Sequence, residues 1–180
     1  VYERVRSRSI APMVILGVDP GTAATGYGVV DADGSRLRSV AFGCVRTEAD
    51  TPLEERLAAI ARAVDALIAE HAPAAVAVEG VYVGANARNA LNVGQARGAV
   101  LTAAGLRGIP VAEYAVAEIK AAVCGFGRAE KGQVQRMVGA VLGLPEPPTP
   151  DHAADALAAA ICHASRSPLA ASIARAGVPR

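Results

Sequence analysis

The first strong pattern in the chain is a short apolar run, MVILGVD from Met13 to Asp19, rich in β-branched residues and closed by Asp-Pro-Gly. Such a run reads as a buried strand followed by a turn. A second strand is expected at about Thr25 to Val30, and a third at about Leu37 to Val45 beyond the Asp33-Gly34 turn. Together they predict a three-stranded meander. The period then changes. Leu53, Leu57, Ile60, Val64, Leu67 and Ile68 recur at helical spacing after Thr51-Pro52, with Glu54 and Glu55 in the first turn, a combination that starts a helix. Pro73 marks its exit, and Ala74 to Glu79 reads as another apolar strand that ends in a carboxylate.

Further on, the pattern predicts a helix over about Asn86 to Leu106 and a strand over about Ile109 to Tyr114. Helices follow over about Val116 to Val123 and Lys131 to Leu142, separated by a loop containing Gly125 and Gly127. The run Pro145 to Pro150, PEPPTP, is too proline-rich for a helix and serves as a stiff connection. The last predicted element is Asp151 to Ala164, with Asp151 a candidate N-cap; its nearly all-apolar circumference implies burial. Strands first, then helices alternating with strands, imply an α/β fold with a mixed sheet covered on both faces. Residues 1–12 read as an N-terminal extension, 13–164 as a single domain, and 165–180 as a loose C-terminal tail.

Composition narrows the class. A chain of 180 residues, 52% apolar and 19% charged, is a globular domain and not a disordered segment. No stretch approaches the roughly 18 consecutive apolar residues of a spanning helix. Cys44, Cys124 and Cys162 are too scattered for a disulfide framework or a zinc site, so reduced thiols and a cytoplasmic setting are expected. Net charge is only +1, yet it is uneven: between Val81 and Arg136 seven basic residues stand against three acidic ones. That excess is modest and compatible with an ordinary solvated face.

Candidate chemistry centres on three carboxylates. Singly, each has an ordinary explanation: Asp19 as a turn former, Glu79 at a strand end, Asp155 paired with an arginine. Together they suggest more, because ligand sites in α/β sheets lie off the carboxyl ends of strands, where both Asp19 and Glu79 fall. A carboxylate within a buried helix is costly unless paired or bound to a cation. His152 lies three residues before Asp155 and shares its helix face. Three carboxylates and an imidazole would bind divalent cations, the carboxylates suiting Mg²⁺ or Mn²⁺ and the imidazole shifting preference toward transition metals. His163, further along the helix, reads as a packed or surface histidine.

Four segments carry a resemblance. GVDPGTAATGYGVV from Gly17, VEGVYVGANARNALNVGQARG from Val78, EIKAAVCGFGRAEKGQV from Glu118 and HAADALAAAICH from His152 resemble the successive motifs of the RuvC family of Holliday-junction resolvases. The similarity runs from about Met13 to His163. It implies a ribonuclease H-like fold with a five-stranded mixed sheet, and a homodimer that nicks two strands of like polarity symmetrically across a four-way DNA junction. It also implies two metal ions per site, Mg²⁺ with Mn²⁺ able to substitute or be preferred, and nicks with 5′-phosphate and 3′-hydroxyl ends. The family's acidic cluster falls on Asp19, Glu79 and Asp155, with Asp19 as bridging ligand and Glu79 as ligand and water-orienting group. The remaining position, often aspartate, is His152 here, so a neutral ligand replaces an anionic one. Tyr82 matches an aromatic that stacks on a base near the junction centre. Lys120 and Lys131 match basic positions beside the scissile phosphate, and Arg128 extends that surface. Arg88 and Arg97 are candidates for contact with DNA or with the second subunit. The helix from about Asn86 is a candidate dimer interface through Leu91, Val93, Ala96 and Val100, the alternative being core contact with the sheet. The RuvA and RuvB branch-migration proteins are the implied partners, with no membrane.

Two rival readings remain at this stage. One is a junction-binding protein without catalysis. The other is an actin-like-fold ATP-binding phosphotransferase, suggested by a strand, Asp-Pro-Gly-Thr and a glycine-rich hairpin; that class needs two such domains, and the chain has room for one.

Overall fold

The computed structural model describes residues 13–80 and 87–175. The elements are β1 (Met13–Asp19), β2 (Ala24–Asp33), β3 (Arg36–Arg46), α1 (Leu53–His71), β4 (Ala75–Glu79), α2 (Ala87–Leu106), β5 (Val111–Tyr114), α3 (Val116–Cys124), α4 (Lys131–Leu142) and α5 (Asp151–Arg175). The strands form one sheet in the order β3-β2-β1-β4-β5. β1, β2 and β3 pair antiparallel, while β4 pairs parallel with both β1 and β5. Antiparallel neighbours need only tight turns, here at Gly34; the parallel pairs need crossovers, supplied by α1 and α2.

Alternation along each strand divides the side chains between two cores. Leu16 and Val18 of β1, with Val76 and Val78 of β4, meet Ile60, Val64 and Ile68 of α1 and Ala96 and Val100 of α2. Ile15 of β1 and Ala77 of β4 face the other way, onto α3, α4 and α5. This parity decides where the two strand-end carboxylates point. Asp19 is in step with Ile15 and Gly17, and Glu79 is in step with Ala77, so both belong to the face covered by α5.

α5 lies unusually close to the sheet. A Cβ added to Gly17 would meet the Ala156 carbonyl oxygen at 1.9 Å, and one added to Gly26 would meet that of His152 at 1.9 Å. At Gly28 the same addition would strike the Leu157 side chain at 2.6 Å. Gly17 and Gly28 are cross-strand partners, and Gly26 pairs with Asp19. A bare strip of β1 and β2 thus receives the helix backbone, and the alanines Ala153, Ala156 and Ala160 keep the approach short, all at 0% exposure.

Several expectations change. Ala96 and Val100 are both at 0% exposure within the α1/α2 core and are not free for a second subunit, whereas Leu91 is 62% exposed. α5 does not stop near Ala164 but continues through Pro168 to Arg175, Leu169 to Ala174 being mostly good helix formers. Asp151 is the first helical residue and not the cap: the N–H groups of Ala153 and Ala154 bond to Pro150 O at 3.0 and 3.4 Å. Residues 1–12 and Tyr82 lie outside the described residues, as does the Arg88 side chain.

The glycine strip yields a stability test. Gly26→Ala is expected to cost about 1–3 kcal/mol or more, because the added methyl meets backbone that cannot yield cheaply. Gly105→Ala, with open space around its Cβ position in α2, should be neutral or stabilising by about 0.4–1 kcal/mol. Denaturant unfolding of both variants checks this; a Gly26→Ala protein as stable as wild type would contradict the close approach.

Candidate metal-binding site

The register of β1 and β4, Gly17 to Ala77 and Val18 to Val78, continues to set Asp19 beside Glu79, about 5 Å apart in backbone as neighbouring strands are. α5 enters over the same edge and brings His152 and Asp155, one turn apart, onto these strand ends. His152 Nδ1–H donates to Asp19 Oδ2 at 2.7 Å. With Asp19 ionised it can only accept, and in the tautomer that donates from Nδ1 the lone pair on Nε2 is left for another partner. Lys131, at the start of α4, places Nζ 2.6 Å from Asp151 Oδ2 and 3.6 Å from Asp155 Oδ2. The ordinary explanation of Asp155, a pairing with arginine, finds a lysine in that place.

Two clefts meet at Glu79. The larger, about 480 Å³, is lined by Asp19, Glu79 and His152, by the Pro20 to Ala24 turn, and by Asn92 and Val93 of α2. The smaller, about 180 Å³, is lined by Glu79, Asp155, Lys120 and Lys131 with Val116 and Val134. Acidic groups thus share their centre with two lysines. Arg128 is exposed on the loop before α4. Arg97 is directed elsewhere, its guanidinium engaged with both carboxylate oxygens of Glu113 on β5.

The turn after Asp19 is pinned from two sides. Thr25 Oγ1 donates to Gly21 O at 2.7 Å, and Thr47 Oγ1–H donates to Thr22 O. Arg56 of α1 in turn donates from Nε to Thr47 Oγ1 at 2.9 Å. Sequence reading did not single out Thr22, Thr25, Thr47 or Arg56. Only contact across the fold distinguishes them from surface residues, since Thr22 and Thr47 are 25 positions apart.

Burial first, and like charge second, mark the electrostatics. Glu79 is pushed up to about 7 by burial, then by Asp19 and Asp155, with Lys120 and Lys131 opposing. Burial also raises Asp19, against the hydrogen bond from His152, and it raises Asp155, where Asp19 adds to the effect. Three partly buried carboxylates that resist ionising together form a donor set that added positive charge would relieve. Oxygen donors with one imidazole suit a hard or borderline divalent cation. Among the described residues no three His, Cys, Asp or Glu side chains stand ready as a metal cage; two of the candidates have internal partners, His152 bonding Asp19 and Lys131 pairing with Asp155. The residues fit a divalent ion once Lys131 gives way at Asp155, with His152 offering Nε2 while Nδ1 stays on Asp19.

A pH dependence follows. In the unfolded chain Glu79 titrates near its ordinary 4.5, and in the fold at about 7. Between those values the folded state retains a proton that the unfolded state has lost. Stability from this group is therefore full below the lower value and falls as pH rises through the upper one. In chelator, Glu79→Gln should gain on the order of 2 kcal/mol over wild type between about pH 5 and about pH 8. Denaturant midpoints at both pH values measure it; an unchanged difference would refute the raised proton affinity of Glu79.

Comparison with known proteins identifies the family and the fold. The family model described as crossover junction endodeoxyribonuclease RuvC matches residues 15–163. The crossover junction endodeoxyribonuclease RuvC of Moorella thermoacetica is 53% identical over 156 residues, covering 87% of this chain and 93% of that protein. The solved structure of Thermus thermophilus RuvC superposes with a TM-score of 0.82 at 39% identity, covering 88% of this chain and 97% of that one. The same protein has been solved in complex with a Holliday junction substrate, with a TM-score of 0.83 to this chain. The five-stranded sheet with helices on both faces is accordingly the ribonuclease H-like fold of those structures. The chain belongs to the RuvC family of crossover junction endodeoxyribonucleases.

Proposed function

We propose that the protein resolves four-way DNA junctions by nicking two strands of like polarity, with Asp19, Glu79, His152 and Asp155 as the catalytic, metal-holding set. The observation that carries this reading is the convergence of Asp19, Glu79 and Asp155, each raised by burial, with Glu79 and Asp155 raised further by their acidic neighbours. As a pure fold element that cluster would be a liability; as a cation site it is useful. Bound divalent ions, Mg²⁺ or Mn²⁺, would activate water and offset charge on the leaving oxygen.

The chain's own groups do the rest. Asp19 and Glu79, on neighbouring rigid strands, fix the spacing of the oxygen donors. Asp19 also orients the His152 ring through the Nδ1 hydrogen bond, which leaves Nε2 as the ligating nitrogen. Glu79, poised between both clefts, can take a proton from a water held there, as its elevated affinity for protons favours. Lys120 and Lys131 sit at the side of the cluster where a phosphate would approach. Their contacts give affinity without sequence information. Arg128 would extend this basic surface, and Tyr82 and Arg88 would contribute from the segment after Glu79. The Arg97 pairing with Glu113 makes it a structural residue before it is a DNA contact.

Paired nicks on symmetry-related strands need two sites facing alike, which a twofold homodimer supplies. Leu91, exposed on α2, and Val93, half-buried at the larger cleft, are the residues of the candidate interface not taken up by the core. The RuvA and RuvB proteins would supply branch migration, in a cytoplasmic setting. Among the described residues no helix is long and apolar enough to cross a membrane.

The test is nicking of a synthetic four-way junction and of a linear duplex of the same sequence, with Mg²⁺, Mn²⁺ or chelator. Wild type should nick the junction alone, in paired fashion, and only with metal. Asp19→Asn should keep junction binding and lose at least about a hundredfold in rate, a few kcal/mol of barrier. Tight binding without nicks in either metal would support a binding-only protein. Replacing the neutral ligand, His152→Asp, should lower the ratio of Mn²⁺ to Mg²⁺ activity; an unchanged ratio would remove His152 from the ligand set.

A further inference from the structure

The loop between α3 and α4 displays a side chain that the acidic cluster does not use. Phe126 stands between two glycines and is 47% exposed. Its backbone is held from three directions. Gly125 closes α3 in the left-handed region, φ 83°, and its N–H donates to Ala121 O at 2.9 Å. Gly127 lies so close to the first turn of α3 that a Cβ there would meet Ala117 O at 2.9 Å. Ala129, 1% exposed, anchors the far side in the core. The ring is thus presented by a fixed tip, which lowers the entropy lost when a partner binds it.

Location says what that partner is. Gly127 and Gly80 line one open cleft of about 620 Å³, together with Tyr114 and Val116. Gly80 and Val116 also line the larger cleft at Glu79, and Val116 the smaller one as well. The tip therefore borders ground continuous with the acidic cluster. In the same stretch of chain stand Lys120, Arg128 and Lys131 with the acids Glu118 and Glu130, and Glu113 lines the cleft itself. A protein-binding aromatic is usually ringed by apolar contacts that exclude water. Here the flat ring is exposed, exposed Arg128 follows it two positions on in the same loop, and the lysines of the acidic cluster lie across the continuous clefts, a combination that holds a nucleic acid strand by stacking and phosphate contact.

We propose that Phe126 stacks on an unpaired or partly unstacked base of the strand entering the active site, with Lys120 and Arg128 holding flanking phosphates. The inference rests on the junction-nuclease reading and adds a base contact on the α3–α4 side of the cluster, opposite in sequence to the segment that carries Tyr82. Stacking requires an aromatic face, so Phe126→Tyr and Phe126→Trp should behave as wild type. Phe126→Ala and Phe126→Leu should weaken junction binding at least about fivefold, without a change in unfolding midpoint.

Binding is measured in chelator, so that no strand is cut, using a junction with 2-aminopurine at the unpaired centre. Wild type and the aromatic variants should quench its fluorescence more than Phe126→Ala does. Equal affinity and equal quenching by Phe126→Ala would overturn the proposal, and so would full rescue by Phe126→Leu, which supplies bulk without a ring. Wild type that nicks junctions normally while Phe126→Ala is indistinguishable from it would refute the stacking alone. Wild type that neither binds nor nicks a junction would remove the underlying reading as well.

Discussion

Everything at the acidic cluster depends on how near α5 comes to β1 and β2. A helix resting on ordinary strand side chains would stand about 10 Å from the sheet, and a short aspartate or histidine on it would be held back from the strand ends. Gly17, Gly26 and Gly28 remove the side chains that would enforce that distance. Ala153, Ala156 and Ala160 remove them from the helix side. The consequence is local and chemical: the His152 carbonyl sits over Gly26, and Gly26 is paired with Asp19. His152 therefore reaches Asp19 at hydrogen-bond distance. The glycines of these strands are costly for strand formation; their value lies in the proximity they permit.

Proximity has an electrostatic cost, and the fold distributes it. Three carboxylates brought together off one sheet edge cannot all ionise freely, and Glu79, flanked by both others, bears most of the penalty. Two internal donors moderate it without abolishing it. His152 bonds Asp19, and Lys131 bridges Asp151 and Asp155. Neither bars a cation, one coming from a ring with a second nitrogen to offer and one from a half-exposed lysine on a flexible stem. A site relieved by such groups is suited to accept cations from solvent. A site neutralised by buried arginines would not be.

Much of this was readable in the chain. Apolar runs and their periods located every sheet strand, and the phase of β1 and β4 is implicit in their alternation: an acid in step with Gly17 and another in step with Ala77 must share a face. His152 and Asp155 declared their common helix face by spacing. What the pattern did not disclose depends on contacts far apart in sequence. Burial of Ala96 and Val100 against the sheet, and not against a second subunit, could not be told from an apolar stripe that would serve either purpose. Arg97 looked like any basic residue on a basic stretch until β5 placed Glu113 beside it. The clamp from Arg56 through Thr47 to the turn after Asp19 spans separate elements and has no periodic signature. The glycines were the missed clue: glycine inside a strand signals close backbone approach, and three of them around Asp19 pointed to the helix that covers it.

The arrangement of charge explains how an almost neutral chain can act on a polyanion. Acids occupy the centre, at strand ends where the backbone is most rigid, while Lys120, Arg128 and Lys131 come from α3, α4 and the loop between them. Phosphates would be repelled by the centre alone and held without discrimination by the rim alone. In the proposed site, set side by side, the rim would draw a strand in and the centre would admit it only when cations balance its carboxylates. Binding and cutting are in this way separable functions of adjacent groups: substituting an acid should spare the first and remove the second. Geometry then decides selectivity, because a rigid acidic centre between basic walls accepts a strand that can bend toward it. A continuous duplex must pay to deform along its length, whereas a junction already presents its strands diverging.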